Sequence, residues 1–183
     1  MTYSSQMTME PNKVFWGMLF RRQCLVPTLR GWFLLVLSVA ALTVVAVREA
    51  YPFLAINDPV PGGILVVEGW APDYTLQAAI SEFKQNHYTK LFVTGIPLEQ
   101  GAPLSEYTNY ANLGAATLIK LGMATNDVQA VPTPLTRRDR TYAMALSLKA
   151  RLVEQRMFPA RVNLVSVGPH ARRTRLLFEK ALG

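Results

Sequence analysis

The residues best suited to chemistry stand where short apolar runs end. His170-Ala171-Arg172-Arg173-Thr174 follows one such run and opens a helical pattern. A helix N-terminus offers unpaired N–H groups and a partial positive charge, and guanidinium forks match phosphate or carboxylate oxygens. Backbone, imidazole, Arg172 and Arg173 together make an anion-binding pattern, with His170 as a general acid–base. A second basic cluster, Arg137-Arg138-Asp139-Arg140-Thr141, precedes another helical pattern. Asp139 is its expected N-cap, which would turn Arg140 and Thr141 towards the same pocket as His170. Glu68 ends the first apolar run. Its carboxylate could orient the imidazole, act as a base, hold a cation or balance a neighbouring arginine. Gly69 and Gly95 let the backbone approach a ligand or simply make turns, and Thr94 adds a hydroxyl. The expected catalytic residues are therefore His170 and Glu68. The expected ligand-binding residues are Gly69, Thr94, Gly95, Arg140, Thr141, Arg172 and Arg173. For both basic clusters the alternative is a solvated helix start.

Several familiar sites are absent. No Gly-x-Gly-x-x-Gly follows the first apolar run, and there is no Walker lysine loop or Gly-x-Ser-x-Gly elbow. The single Cys24 excludes a disulfide within these residues and any thiolate-cluster metal site. The two histidines, His87 and His170, leave little for a histidine-rich centre. No metal is expected, and no cofactor is indicated. His87 falls at a helix end and reads as structural.

The positioning elements follow from periodicity. Four short apolar runs begin at Ile64, Leu91, Val128 and Val162, a pattern that suits strands covered on both faces. Helical stripes alternate with them. Leu76, Ala79, Ile80 and Phe83 form the first, after Pro72 and Asp73. Tyr107, Tyr110, Ala111, Gly114, Leu118 and Leu121 form the second, with Ser105 as N-cap and Gly122 as the stop. Tyr142, Ala145, Leu146, Leu152 and Val153 form the third, and Thr174, Leu177, Phe178 and Ala181 the fourth. The alternation predicts a Rossmann-like α/β three-layer sandwich with a mainly parallel sheet. Ligands in such sheets bind outside the carboxyl ends of the strands, where the residues named above fall. The last stripe closes at Gly183 without a return strand, so the domain over residues 64–183 is expected to be incomplete at its C-terminus.

The 183 residues are 50% hydrophobic and only 17% charged, which excludes global disorder. Residues 31–47 carry no ionisable group. As a helix they would span roughly 25 Å, at the short limit of a transmembrane segment. Trp32 and Phe33 at one end of the run, and Tyr51 and Phe53 past the other, fit interfacial aromatic belts. A buried core helix is the alternative, but only Ser38 and Thr43 are polar within the run. The expected organisation is a basic leader over 1–30, an uncleaved anchor over 31–49, a Pro- and Gly-rich linker over 50–63 and the domain. Lys13, Arg21, Arg22 and Arg30, against Glu10, precede the apolar run, whereas Arg48 and Glu49 cancel just after it. The positive-inside rule then keeps the N-terminus in the cytoplasm, with one pass through the plasma (inner) membrane and the domain outside. Phe15, Trp16, Phe20 and Leu25 could lie in the headgroup layer, or the leader could be a mobile basic tail. The net charge of +7 is thus part topology signal and part candidate anion site. Nucleic acid is not expected as a partner of an exported face.

The order of these motifs resembles the SanA/ElyC/YdcF family, a bacterial domain of unknown function. The resemblance rests on Ile64-Leu65-Val66-Val67-Glu68-Gly69-Trp70, Thr94-Gly95, Ser105-Glu106-Tyr107 with the later Gly122, Arg140-Thr141-Tyr142-x-x-Ala145, and His170-Ala171-Arg172-Arg173-Thr174. It covers about two thirds of the chain, and the final His-x-x-Arg element is its most specific part. Glu68-Gly69-Trp70 departs from the family's more glycine-rich turn. The resemblance implies a membrane-anchored envelope protein in peptidoglycan or lipid-carrier metabolism. Its partners would be membrane lipid and an anionic small-molecule or lipid-linked ligand. Hydrolysis or group transfer on a phosphorylated precursor is one expected role; a non-catalytic binding or scaffolding module is the other.

Overall fold

The computed structural model describes residues 13–14, 19–20 and 27–183. The chain divides into two compact units, Met1–Val45 and Ala46–Gly183. In the first, β1 (Lys13–Val14) pairs antiparallel with β2 (Leu19–Phe20). Phe15, Trp16, Arg21, Arg22, Cys24 and Leu25 of the leader lie outside the described residues.

Helix α1 (Leu29–Leu54) carries the apolar run. It has no buried residue, and its mean hydropathy reaches 2.1, so it is long and apolar enough to cross a bilayer. The two polar side chains of the run over residues 31–47 are satisfied within the helix. The Ser38 and Thr43 hydroxyls donate to the Leu34 and Val39 carbonyls at 2.8 Å, leaving no unpaired hydroxyl hydrogen to meet hydrocarbon. The helix continues to Leu54, past the expected anchor end at residue 49. Pro52 is tolerated because it sits in the last turn, where only one intrahelical bond is lost.

The second unit repeats strand and helix four times. The elements are β3 (Ile64–Glu68), α2 (Asp73–Gln85), β4 (Lys90–Gly95), α3 (Tyr110–Lys120), β5 (Val128–Pro132), α4 (Arg140–Glu154), β6 (Val162–Val165) and α5 (His170–Leu182). The four strands are all parallel in the order β5-β4-β3-β6. This is the Rossmann-like α/β sandwich expected from the alternation. Because strand order reverses at β3, right-handed crossovers place α2 and α3 on one face and α4 and α5 on the other.

Alternation along β3 feeds two cores. Leu65 and Val67 pack with Leu76, Ala79 and Ile80 of α2 and Leu118 of α3. Ile64 and Val66 pack with Ala145, Leu148 and Leu152 of α4 and Phe178 of α5. Fully burying one such Val, Leu or Phe side chain is worth about 1.5–3 kcal/mol.

Two helices differ from expectation. α3 starts at Tyr110 rather than after Ser105. The cap is Asn109, whose side chain accepts from the Asn112 N–H at 2.8 Å, and a bridge from Pro97 to Asn109 holds the preceding chain extended. Ser105 instead closes a local turn by accepting from the Tyr107 N–H at 3.0 Å. Gly122, with φ of 102°, does follow the helix end. In α4 the buried stripe is Met144, Ala145, Leu148 and Leu152, while Leu146 and Val153 face solvent. The apolar residues of this helix reach two faces, and contact with α5 selects one of them.

Helix α3 lies unusually close to the strand ends. A Cβ on Gly69 would stand 2.2 Å from the Tyr110 carbonyl oxygen, and one on Gly95 would stand 2.3 Å from the Ala111 nitrogen. Gly114 packs against Gly69 in turn: a Cβ there would lie 2.8 Å from the Gly69 Cα. Gly69→Ala is therefore expected to destabilise the second unit by about 1–3 kcal/mol through overpacking against backbone. Thermal unfolding of the detergent-solubilised chain measures this, and an unchanged transition would contradict the close approach.

Candidate functional site

Strands β3 and β6 are neighbours, yet their following helices leave on opposite faces. That is the switch point at which open α/β sheets form a crevice. Helices α4 and α5 share one face, so both N-termini arrive at the carboxyl edge on that side. Alternation brings one polar residue from each strand or its extension to the same face: Thr133, Thr94, Glu68 and Ser166, in sheet order.

Glu68 is the charged member of this row and is only 2% exposed. Ser166 Oγ donates to its carboxylate at 2.5 Å, and Thr174 Oγ1 of α5 donates to the same oxygen at 3.3 Å. Burial pushes the Glu68 carboxyl above the usual carboxylate range, and Ser166, Trp70, Thr174 and His170 pull it back only in part. The Thr94 and Thr133 hydroxyls are also buried, and neither has a hydrogen-bond partner among the described residues.

Next to the row, an open pocket of about 500 Å³ collects Trp70, Glu99, Arg137, Asp139, Arg140, Thr141, His170 and Arg173 among its lining residues. His170, the first residue of α5, meets Trp70 edge-on with ring centroids 5.6 Å apart. Arg140 pairs with Glu99 from the loop after β4. Asp139 occupies the N-cap position but adopts a left-handed backbone, φ 52°, and its side chain makes no capping bond. Its carboxylate is thus available to the pocket rather than to the helix end.

The expected site residues divide into three groups. His170, Arg140, Thr141 and Arg173 line one pocket. Glu68 and Thr94 are buried and do not line it. Gly69, Gly95 and Arg172 are placed otherwise. The close approach at the two glycines is to α3. Arg172 Nε donates to the Phe53 carbonyl at 2.5 Å, and its guanidinium lies 3.9 Å over the Phe53 ring, so it holds the end of α1. Glu99 and the Thr174 bond to Glu68 were not anticipated. Glu99 had a signal, since it is an acid in a loop at a strand's carboxyl end.

A larger cleft, about 700 Å³, runs along the free edge of β6 and takes in none of the expected site residues. The smaller pocket is the candidate site, because charged side chains from the loops after β4 and β5 and from the start of α5 line it together. Among the described residues, no three His, Cys, Asp or Glu side chains form a metal-ligand group. Compared with protein-family models, curated proteins and solved structures, the chain matches none.

The raised Glu68 pKa has a defined sign in stability. As pH rises, the unfolded chain loses this proton before the folded one, so stability falls between the two values. Glu68→Gln removes that slope. Relative to the parent, its melting temperature is expected to rise more near neutrality than in mild acid. A difference independent of pH would show that Glu68 ionises as freely folded as unfolded.

Proposed function

We propose that the chain is a membrane-anchored protein of the bacterial envelope, of the SanA/ElyC/YdcF kind, whose α/β domain binds an anionic, phosphate-bearing ligand. The process would be peptidoglycan or lipid-carrier metabolism. In this reading the N-terminus lies in the cytoplasm and the domain outside the plasma (inner) membrane, an orientation that the basic residues before the apolar run support.

One observation carries the ligand reading. Arg137, Arg140, Arg173 and His170 meet in a single pocket where two helices begin. Guanidinium forks and helix N-termini favour the same kind of oxygen-rich anion. Acting as an enzyme, the site would carry out hydrolysis or group transfer, with His170 as acid–base and the arginines stabilising developing charge.

A non-catalytic binding role has its own support. Glu68 is held by Ser166 and Thr174, and no hydrogen bond joins it to His170 among the described residues. An acid–base pair is therefore not assembled. Phosphate release from a panel of phosphorylated precursors separates the two readings: binding without release favours the module.

Geranyl phosphate is a convenient probe, with geraniol as its uncharged control. Arg173→Ala is expected to weaken geranyl phosphate binding about tenfold or more, as loss of a charge-assisted hydrogen bond does. Unchanged affinity would remove Arg173 from the site. Glu99→Gln is expected to tighten binding by less than about tenfold, since an exposed pair with Arg140 is worth at most about 1 kcal/mol. Both are read by isothermal titration of the detergent-solubilised chain.

A further inference from the structure

The end of α1 docks at the same edge of the sheet as the candidate pocket. Arg172 grips the Phe53 carbonyl and ring, and the Tyr51 hydroxyl stands over Gly168, where an added Cβ would be 3.6 Å away. Gly168 and Arg172 flank the start of α5, at the carboxyl edge. The apolar run ends at Val47, four residues before Tyr51 and so about 6 Å of helix away. Val47 belongs to the same compact unit as this edge, so a bilayer surface that meets the end of the run lies close to the carboxyl edge.

That edge also presents apolar side chains with nothing over them. Leu104, in the loop after β4, is 95% exposed, and Leu135, in the loop after β5, is 75% exposed. Arg137 and Arg138 follow Leu135 closely in the chain and are exposed. Arg140, Arg172 and Arg173 stand at the same edge, as do Asp73, Glu99, Glu106 and Asp139. Its net charge is consequently small, and apolar contact outweighs long-range attraction there.

From this placement we infer that the carboxyl edge is a second membrane-contact surface. Leu104 and Leu135 enter the headgroup–acyl boundary of the bilayer that holds α1, and the pocket opens towards lipid headgroups. The occupant of the exposed loop tips is lipid, in the way that amphipathic surfaces seat their apolar residues at an interface. A ligand tethered in that bilayer would reach His170 and Arg173 without leaving the interface. The inference rests on α1 being a membrane anchor and is independent of which anion the pocket takes.

The test uses the full chain with Cys24→Ser in phosphatidylcholine–phosphatidylglycerol vesicles. Single cysteines at Leu104→Cys, Leu135→Cys and Phe158→Cys carry an environment-sensitive fluorophore, and the vesicles contain a lipid-borne quencher. Phe158 is a matched control, 79% exposed but in the loop between α4 and β6, at the opposite edge. Quenching at positions 104 and 135 is expected to exceed that at 158 several-fold. Equal quenching, or stronger quenching at 158, would overturn the contact surface. Vesicle flotation of the same samples separates the causes. Chains that float without edge-selective quenching refute the surface and leave the anchor standing, whereas chains that fail to float refute both.

Discussion

The five residues of β3 are buried; all five pair with the parallel strand β4 on one side, and Ile64 to Val67 pair with β6 on the other. A buried backbone group left unpaired there would cost about 1–3 kcal/mol, so both ladders must form. Apolar side chains leave each face in alternation and must each meet a helix. The reversal of strand order at this strand then decides which helices those are. Helices α2 and α3 cover one face, and α4 and α5 cover the other. The pocket is a consequence: two helices sharing a face begin side by side, at the end of the strand that forced them there.

The same strand ends in a carboxyl group under that pocket. Glu68 is withdrawn from water, and its ionised form is disfavoured by burial. Two hydroxyls hold it, while Thr94 and Thr133 beside it remain unpartnered among the described residues. A row this polar is costly inside a sheet, and an aliphatic row would pack as well. The exposed arginines and His170 lie beside it. The acid of the row is withdrawn, while the pocket's arginines share its lining with Glu99 and Asp139. Glycine-permitted contact with α3 holds the other side of the strand ends close.

Much of this was legible in residue order. Four apolar runs with helical stripes between them announced an α/β sheet, because strand and helix periods differ and both were present. The apolar run over residues 31–47 announced α1 for the opposite reason, having no polar face at all. His170, Arg140, Thr141 and Arg173 could be brought together on paper, since strand ends in a parallel sheet share one edge. Helix starts were less legible. Ser105 is as good a cap as Asn109 by residue type, and a bridge from Pro97 selected between them. The apolar residues of α4 fit two stripes, and packing against α5 chose one.

Sequence alone determined the element types, their alternation, the long apolar helix and the edge at which polar residues collect. These depend on local periodicity and on the general geometry of parallel sheets. Tertiary structure decided which of those polar residues are accessible. It buried Glu68 and Thr94, gave the space at Gly69 and Gly95 to α3, and turned Arg172 to the end of α1. Each outcome depends on what a distant segment places against the residue, and residues over a hundred positions apart, as Phe53 and Arg172 are, leave no trace of that contact in their own neighbourhoods.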